Sequence, residues 1–220
     1  MSSDTRGIDL PQAAPAGPDV VGRSATPDVR SRIEAMMSDR PAWRVTNDSS
    51  DRPGLLAHTA AVMAEHGLSI RSARATTLDH RAQQEFEVVL VDGAPEPNWG
   101  VVGLDVRAGL LGERERSFSP FRPVGEAEVR IERDGPDQWL VHVSAPDTVG
   151  LLAIAAGWFA DHELNVIRAE IGGEFGWAVD TFVVTGRIPP GGSLRLAAML
   201  SGRDGVSSPG QVTPVDVVRW

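Results

Sequence analysis

Two short segments place an aspartate three residues before a glycine, at the expected start of a helix. Asp51 precedes Gly54, and Asp147 precedes Gly150. Backbone N–H groups at a helix N-terminus attract anions such as a carboxylate, and glycine lets a ligand approach the backbone without a Cβ in the way. The aspartates could cap the helices or accept hydrogen bonds from an ammonium group. The two turns therefore favour a zwitterion over a simple anion.

Both turns belong to a module that occurs twice. One offset relates the copies (147 − 51 = 96 and 182 − 86 = 96), without an insertion between residues 43 and 86. The matched pairs are Trp43 and Trp139, Asp51 and Asp147, Gly54 and Gly150, Leu55 and Leu151, Leu56 and Leu152, His66 and His162, Leu68 and Leu164, and Phe86 and Phe182. A constant offset across several elements predicts two tandem domains.

Hydrophobic periodicity predicts the elements that carry these turns. In the first copy we expect strands at Trp43–Thr46, Leu68–Thr77 and Glu85–Val91. We also expect a helix that has Asp51 at its capping position and Pro53 in its first turn and ends at about His66, and a second helix at Asn98–Leu111. In the second copy we expect strands at Trp139–Ser144, Asn165–Ile171, Ala178–Val184 and Pro214–Trp220, and helices at Gly150–His162 and Ser193–Leu200. The segment Glu126–Arg133 either closes the first module or forms a hairpin with the second.

This order of elements predicts an α+β protein of two tandem ferredoxin-like (βαββαβ) modules, with antiparallel sheets and helices on one face. Residues 1–40 are expected to be a mostly disordered N-terminal segment, in which Asp28–Ser38 is a candidate short helix. The first domain is expected at 41–134 and the second at 135–220.

The motifs resemble those of a known family. The string Asp51-Arg52-Pro53-Gly54-Leu55-Leu56, followed by a helix and Gly67-Leu68-Ser69-Ile70, resembles an ACT domain. The string Asp147-Thr148-Val149-Gly150-Leu151-Leu152, followed by Leu164-Asn165-Val166, looks like another. The pair is similar to the C-terminal ACT domains of bacterial glutamine-sensing uridylyltransferases and to free-standing regulators such as glycine cleavage repressors.

The resemblance implies a ligand between the strand-to-helix turn of one module and the second strand of its neighbour. The implied binding residues are Asp51, Arg52, Pro53, Gly54, Leu55, Ser69, Ile70, Asp147, Thr148, Val149, Gly150, Leu151, Asn165 and Val166. The copies differ, because Asn165 stands where the first module has Ser69. We therefore expect unequal occupancy, either at the Gly150 turn facing the first module or at the Gly54 turn facing Asn165.

The resemblance also implies a function. It predicts a non-enzymatic regulator that binds a free amino acid of the glutamine, glycine or serine class, controls a partner protein and forms a homodimer. The alternative is a ligand-independent interaction or dimerisation module that pairs exposed sheet edges. An enzyme that uses acidic loop residues is a weaker third hypothesis, because no residues converge at catalytic spacing and no phosphate loop or dinucleotide motif occurs.

The amino-acid composition narrows the possible partners, chemistry and location of the protein. The formal net charge of −9 argues against nucleic acid as a partner. The chain has no cysteine, which excludes disulfides and thiol chemistry. No segment has the length and apolarity of a signal core or a membrane span, so we expect a cytoplasmic protein without a membrane partner. His66 and His162 are interpreted as cations near helix ends, so no metal and no cofactor is expected.

Overall fold

The computed structural model describes residues 29–38, 40–114 and 125–203. Two predictions fall wholly or mostly outside these ranges: the disorder of the N-terminal segment at 1–40, of which residues 1–28 are not described, and the strand at Pro214–Trp220.

The elements repeat in two halves. The first half contains strands β1 (Val29–Met36), β2 (Ala42–Ser50), β3 (Leu68–Leu78) and β4 (Arg81–Leu90), and helices α1 (Leu55–Glu65) and α2 (Trp99–Leu111). The second half contains strands β5 (Glu128–Arg133), β6 (Gln138–Pro146), β7 (Asn165–Ile171), β8 (Gly173–Glu174) and β9 (Trp177–Thr185), and helices α3 (Leu151–Asp161) and α4 (Gly192–Leu200). The helices predicted near Asn98, Gly150 and Ser193 are confirmed as α2, α3 and α4.

All of these strands form one antiparallel sheet. Within the described residues its nine strands follow the order β1-β2-β4-β3-β7-β9-β6-β5, with the short β8 beside β9. The halves join where β3 pairs with β7, from Ala73 opposite Ile171 to Thr76 opposite Arg168. The strand order on one side of this seam mirrors the order on the other side, so the two modules are related by a pseudo-twofold axis.

One face of the sheet carries the helices. In β4, Phe86 and Val88 are buried, whereas the alternating residues Gln83 and Glu85 are exposed. Successive side chains of a strand point to opposite faces, so β4 has one core face and one solvent face. Helix α1 packs against α2 on one side and against α3 on the other, and α3 packs against α4. The inner helices thus meet directly over the seam between β3 and β7.

The predicted α+β class with tandem ferredoxin-like modules is confirmed, but the order along the chain differs in one respect. The outer strand of each module precedes its central strand: β1 pairs with β2, and β5 pairs with β6. Within the described residues each half therefore runs strand, strand, helix, strand, strand, helix, and the second half has the two-residue strand β8 in addition. This pairing decides the open alternative for Glu126–Arg133 in favour of the hairpin. We propose that β1 belongs to the first module and β5 to the second.

The candidate helix at Asp28–Ser38 was wrong, because Val29–Met36 is strand β1. Val29 and Ile33 are its buried residues. A spacing of four places two side chains on one face of a helix and equally on one face of a strand. The apolar pattern could not separate these structures, and pairing with β2 selects the strand.

Candidate ligand site

The two glycine turns have the same backbone conformation. Gly54 precedes α1 with φ 90° and ψ −2°, and Gly150 precedes α3 with φ 89° and ψ −3°. Residues with a Cβ rarely adopt this left-handed region, so glycine is needed at both turns. Among the described residues, no side chain caps either helix N-terminus. The amides of both first turns are therefore not occupied by a side-chain cap.

The interpretation of Asp51 as a helix cap was wrong. The N-cap position is Gly54, and Oδ2 of Asp51 instead accepts a hydrogen bond from Nδ2 of Asn165 at 2.8 Å. The backbone N–H of Asp51 donates to the His80 carbonyl at 2.9 Å. Glycine in the left-handed conformation occupies the position where a capping side chain would act.

The second turn opens into a cavity at the seam between the modules. This cavity, called the Gly150 cavity, has a volume of about 250 Å³. It is lined by Ala60, Ala64, Leu68, Ser69, Ile70, Arg71, Val89, Asp147, Thr148, Val149, Gly150, Leu151, Leu152, Ala153, Ile171, Gly172, Gly173, Phe175, Gly176, Trp177, Ala178 and Asp180. A cavity of about 150 Å³ holds benzene, so this one has room for an amino acid.

The equivalent place at the first turn is closed. This place, called the Gly54 pocket, has a volume of about 20 Å³ and is lined by Gly54, Asn165 and their neighbours. That volume suits roughly one water molecule. Nδ2 of Asn165 donates a hydrogen bond of 2.8 Å to Oδ2 of Asp51, so the Asn165 amide occupies one acceptor oxygen of this carboxylate.

Two sequence differences explain why one place is open and the other closed. Ser69 occupies the position of Asn165 (165 − 69 = 96), and its short side chain cannot make the corresponding contact with Asp147. In addition, β7 ends at Ile171, whereas β3 continues through the equivalent positions to Leu78. The chain then passes through Gly172 into β8, which begins at Gly173, and both glycines line the Gly150 cavity.

The second of these glycines allows no substitute. A Cβ on Gly173 would lie 2.0 Å from the carbonyl oxygen of Trp177. That distance is far inside van der Waals contact, and the clashing atom belongs to the backbone, which cannot rotate away. Close approach of β8 to β9 therefore requires glycine here.

Two carboxyl groups that line the Gly150 cavity, those of Asp147 and Asp180, have raised pKa values. Asp180 is 1% exposed, and its Oδ1 has no hydrogen-bond partner within the described part of the chain. Burial raises the pKa of Asp180 to about 7, a hydrogen bond with the Gly172 backbone opposes this rise, and repulsion from Asp147 adds to it. Burial also raises the pKa of Asp147. Desolvation disfavours the ionised form of both carboxyl groups, so a cation in the cavity would stabilise them.

Sequence reasoning missed Asp180, although a signal was present. Asp180 alternates with Ala178 and Phe182 along a predicted strand, on the face that is buried in the structure. A charged residue on the apolar face of a strand is uncommon unless it is paired. The repeat offset pointed to the same position, because the equivalent residue is the uncharged Gln84 (180 − 84 = 96).

The structure divides the expected binding residues between the two places. Ser69, Ile70, Asp147, Thr148, Val149, Gly150 and Leu151 line the Gly150 cavity. Asp51, Arg52, Gly54, Leu55, Asn165 and Val166 line the Gly54 pocket. Pro53 is exposed and lines neither of them. Their roles in binding a ligand remain predictions.

The paired histidines make local contacts. Nε2 of His66 lies 2.8 Å from Oδ2 of Asp105, and Nδ1 of His162 lies 2.8 Å from the Trp158 carbonyl oxygen. Across residues 29–38, 40–114 and 125–203, no group of three or more His, Cys, Asp or Glu side chains is arranged to hold a metal ion. No helix in the same ranges is long and apolar enough to cross a membrane.

Fold and geometry together define a protein of two ferredoxin-like modules joined edge to edge, with a ligand-sized cavity at one of two equivalent turns. No protein-family model matches the chain. The chain is 29% identical over 165 residues to the ACT domain-containing protein ACR6 of Arabidopsis thaliana. This match covers 75% of the present chain and 34% of ACR6.

A second match lies in a bacterial enzyme. The chain is 29% identical over 174 residues to a bifunctional uridylyltransferase/uridylyl-removing enzyme of Chromobacterium violaceum, which covers 73% of this chain and 20% of that protein. The chain thus spans about a third or less of the length of these relatives. The solved aspartate kinase structure from Synechocystis is similar with a TM-score of 0.41 and 14% identity, over 73% of this chain and 26% of that chain.

The sequence matches support the resemblance of this chain to ACT-domain proteins. ACT domains are regulatory modules that bind amino acids. The matched uridylyltransferase is an enzyme, and this chain is similar to a part of it.

Proposed function

We propose that this chain is a non-enzymatic regulatory module that binds one free amino acid in the Gly150 cavity and thereby controls a partner protein. The observation that carries the proposal is the asymmetry between two equivalent turns. One turn faces a cavity of about 250 Å³, and the other faces a pocket of about 20 Å³ that an asparagine fills.

The chemistry of the cavity suits a zwitterion. The first turn of α3 presents backbone amides, which attract a ligand carboxylate. Asp147 lies in the same turn and can accept from an α-ammonium. The left-handed Gly150 keeps this stretch of backbone accessible between the two groups.

The position of the cavity suits regulation. Its lining combines the α3 turn of the second module with Ser69 and Ile70 of the first module. A ligand there contacts both modules and stabilises their pairing. If the two modules can pair in two arrangements, the ligand shifts the equilibrium toward the arrangement that it binds more tightly. The size of the shift is set by the difference between its affinities for the two arrangements. We propose that the partner protein recognises the ligand-stabilised arrangement.

A thermal-unfolding panel of the twenty amino acids tests the proposal. A ligand at 100 times its dissociation constant should add about 2.7 kcal/mol to the free energy of unfolding. Gly150→Ala should remove this response, because the substitution strains the left-handed turn and places a methyl group at the cavity wall.

Gly54→Ala is the matched control. Both glycines have the same φ and ψ, so the two substitutions should cost similar stability, whereas only Gly54→Ala should keep the ligand response. A flat response of the wild type to all twenty amino acids at millimolar concentration would falsify amino-acid binding. The ligand-independent interaction module would then be the better hypothesis, and β1 and β5, the outer strands of the sheet, would be its pairing edges.

A further inference from the structure

Within the described part of the chain, one carboxyl oxygen of Asp180 has no hydrogen-bond donor, although the Gly172 backbone makes a hydrogen bond with this side chain. Asp180 lines the Gly150 cavity and is 1% exposed. Its Oδ1 finds no hydrogen-bond partner among the residues that the structure describes. A buried carboxyl group is costly unless a donor reaches it. Since this oxygen borders a cavity, a ligand can supply the donor.

The first module satisfies the same position internally. There the equivalent residue is Gln84, whose Oε1 accepts from Thr59 Oγ1 at 3.0 Å and from Asn47 Nδ2 at 3.4 Å. The second module has Ala155 in place of Thr59 (155 − 59 = 96) and Val143 in place of Asn47 (143 − 47 = 96). It therefore has an acceptor at this position without the two donors that serve the first module.

The backbone of Asp180 lies several strand residues away from the glycine turn. In the sheet Asp180 pairs with Val143 of β6. Strand β6 ends three residues later, at Pro146. Three residues of strand span about 10 Å, and Asp147 follows beyond Pro146. A single ammonium group beside Asp147 is therefore badly placed to pair with Asp180 as well. The cavity calls for two separate donors.

The charge of the lining sets the class of the second donor. Asp147 and Asp180 contribute two carboxyl groups to the cavity lining, and Arg71 contributes a cation. Arg71 forms an ion pair with Glu87, with Nη1 3.4 Å from Oε1. A neutral donor would make a hydrogen bond to Asp180 but would leave its carboxylate, whenever it is ionised, as a buried charge without a counter-charge. A cation satisfies both requirements.

The geometry points to an amino acid with a cationic side chain as the ligand, whose distal ammonium or guanidinium pairs with Asp180. The inference rests on the proposed function, because it places the ligand carboxylate at α3 and the α-ammonium at Asp147. It differs from the glutamine, glycine or serine class that the family resemblance implied. Asp180 is then the residue that determines side-chain specificity.

Isothermal titration calorimetry of the full chain at pH 8 tests the inference with two probes. L-lysine carries the distal ammonium, and L-norleucine has the same carbon chain without it. Because a hydrogen bond to a charged group contributes about 1.5–3 kcal/mol, lysine should bind the wild type at least about tenfold more tightly than norleucine. Asp180→Asn should remove this preference by weakening lysine and leaving norleucine nearly unchanged. The exposed Asp137→Asn is the control and should behave like the wild type.

The outcomes separate this inference from the proposed function. If glutamine or norleucine binds the wild type as tightly as lysine, the cationic ligand is wrong and amino-acid binding stands. Equal weakening of lysine and norleucine by Asp180→Asn would place the α-ammonium at Asp180 and would also overturn the inference. If no amino acid binds the wild type, both proposals fail. Should Asp180→Asn not fold, the ratio of lysine to norleucine affinity in the wild type decides.

Discussion

Replacing Asp180 with asparagine should stabilise the unliganded protein, and this gain should depend on pH. Burial raises the pKa of Asp180 from 3.8 to about 7 in the folded protein. Between these values the folded chain keeps a proton that the unfolded chain has released. The stability that this protonated carboxyl contributes is therefore complete below pH 3.8, falls as pH rises, and is lost above pH 7.

The size of the effect follows from the shift. The pKa of Asp180 is roughly 3 higher in the folded protein than in the unfolded chain, and a pKa difference of 1 corresponds to about 1.4 kcal/mol, so ionising Asp180 costs the folded state about 4 kcal/mol above pH 7. Asparagine has nearly the same shape and cannot ionise. Asp180→Asn should therefore exceed the wild type in free energy of unfolding by about 4 kcal/mol at pH 8 and by about 1 kcal/mol at pH 4.5.

Urea unfolding at both pH values, followed by tryptophan fluorescence, measures this difference. The exposed Asp137→Asn should show no such gain and corrects for the general effect of removing a negative charge. A difference between Asp180→Asn and the wild type that is the same at pH 4.5 and pH 8 would contradict the reasoning. It would mean that Asp180 is solvated in the folded protein or has a counter-charge.

Three further substitutions test the asymmetry of the two turns. Ser69→Asn should close the Gly150 cavity by placing an amide at Asp147, as Asn165 does at Asp51, so thermal unfolding should no longer respond to amino acids; a preserved response would show that this residue does not control access. Asn165→Ala removes a 2.8 Å hydrogen bond to a carboxylate. It should lower the free energy of unfolding, measured by urea titration, by about 1–2 kcal/mol. An unchanged free energy of unfolding would mean that solvent replaces the bond fully. Gly173→Ala should force β8 away from β9, since its Cβ would lie 2.0 Å from a carbonyl oxygen. We expect the free energy of unfolding to fall by about 1–3 kcal/mol and the ligand response in calorimetry to weaken. An unchanged melting temperature would refute the clash.

The repeat was enough to predict the layers and the turns. A constant offset and matching apolar periods predicted the strands and helices around both glycines, and Gly54 and Gly150 adopt the same left-handed conformation. These features are local, because helix and strand periods and a positive φ depend on neighbouring residues. The resemblance to ACT domains rested on the same local motifs.

The outer strands were harder to predict for a local reason as well. The spacing of Val29 and Ile33 suits both a helix and a strand, and only pairing with β2 separates them. The same holds for β5, whose partner could not be chosen between the two modules. Hydrogen bonds between strands, and not the pattern within one strand, select the structure in such segments.

The sequence alone predicted unequal occupancy but did not decide which of the two turns is open, because each copy contains the motif that a helix start requires. Tertiary structure made them different. The bond that closes the first turn joins Asn165 to Asp51, which lie 114 positions apart along the chain, and the group that characterises the second turn is Asp180 on a strand beneath α3. Contacts of this kind depend on how the modules pack across their seam, since packing brings distant side chains within hydrogen-bond distance or leaves a carboxyl group facing an empty space.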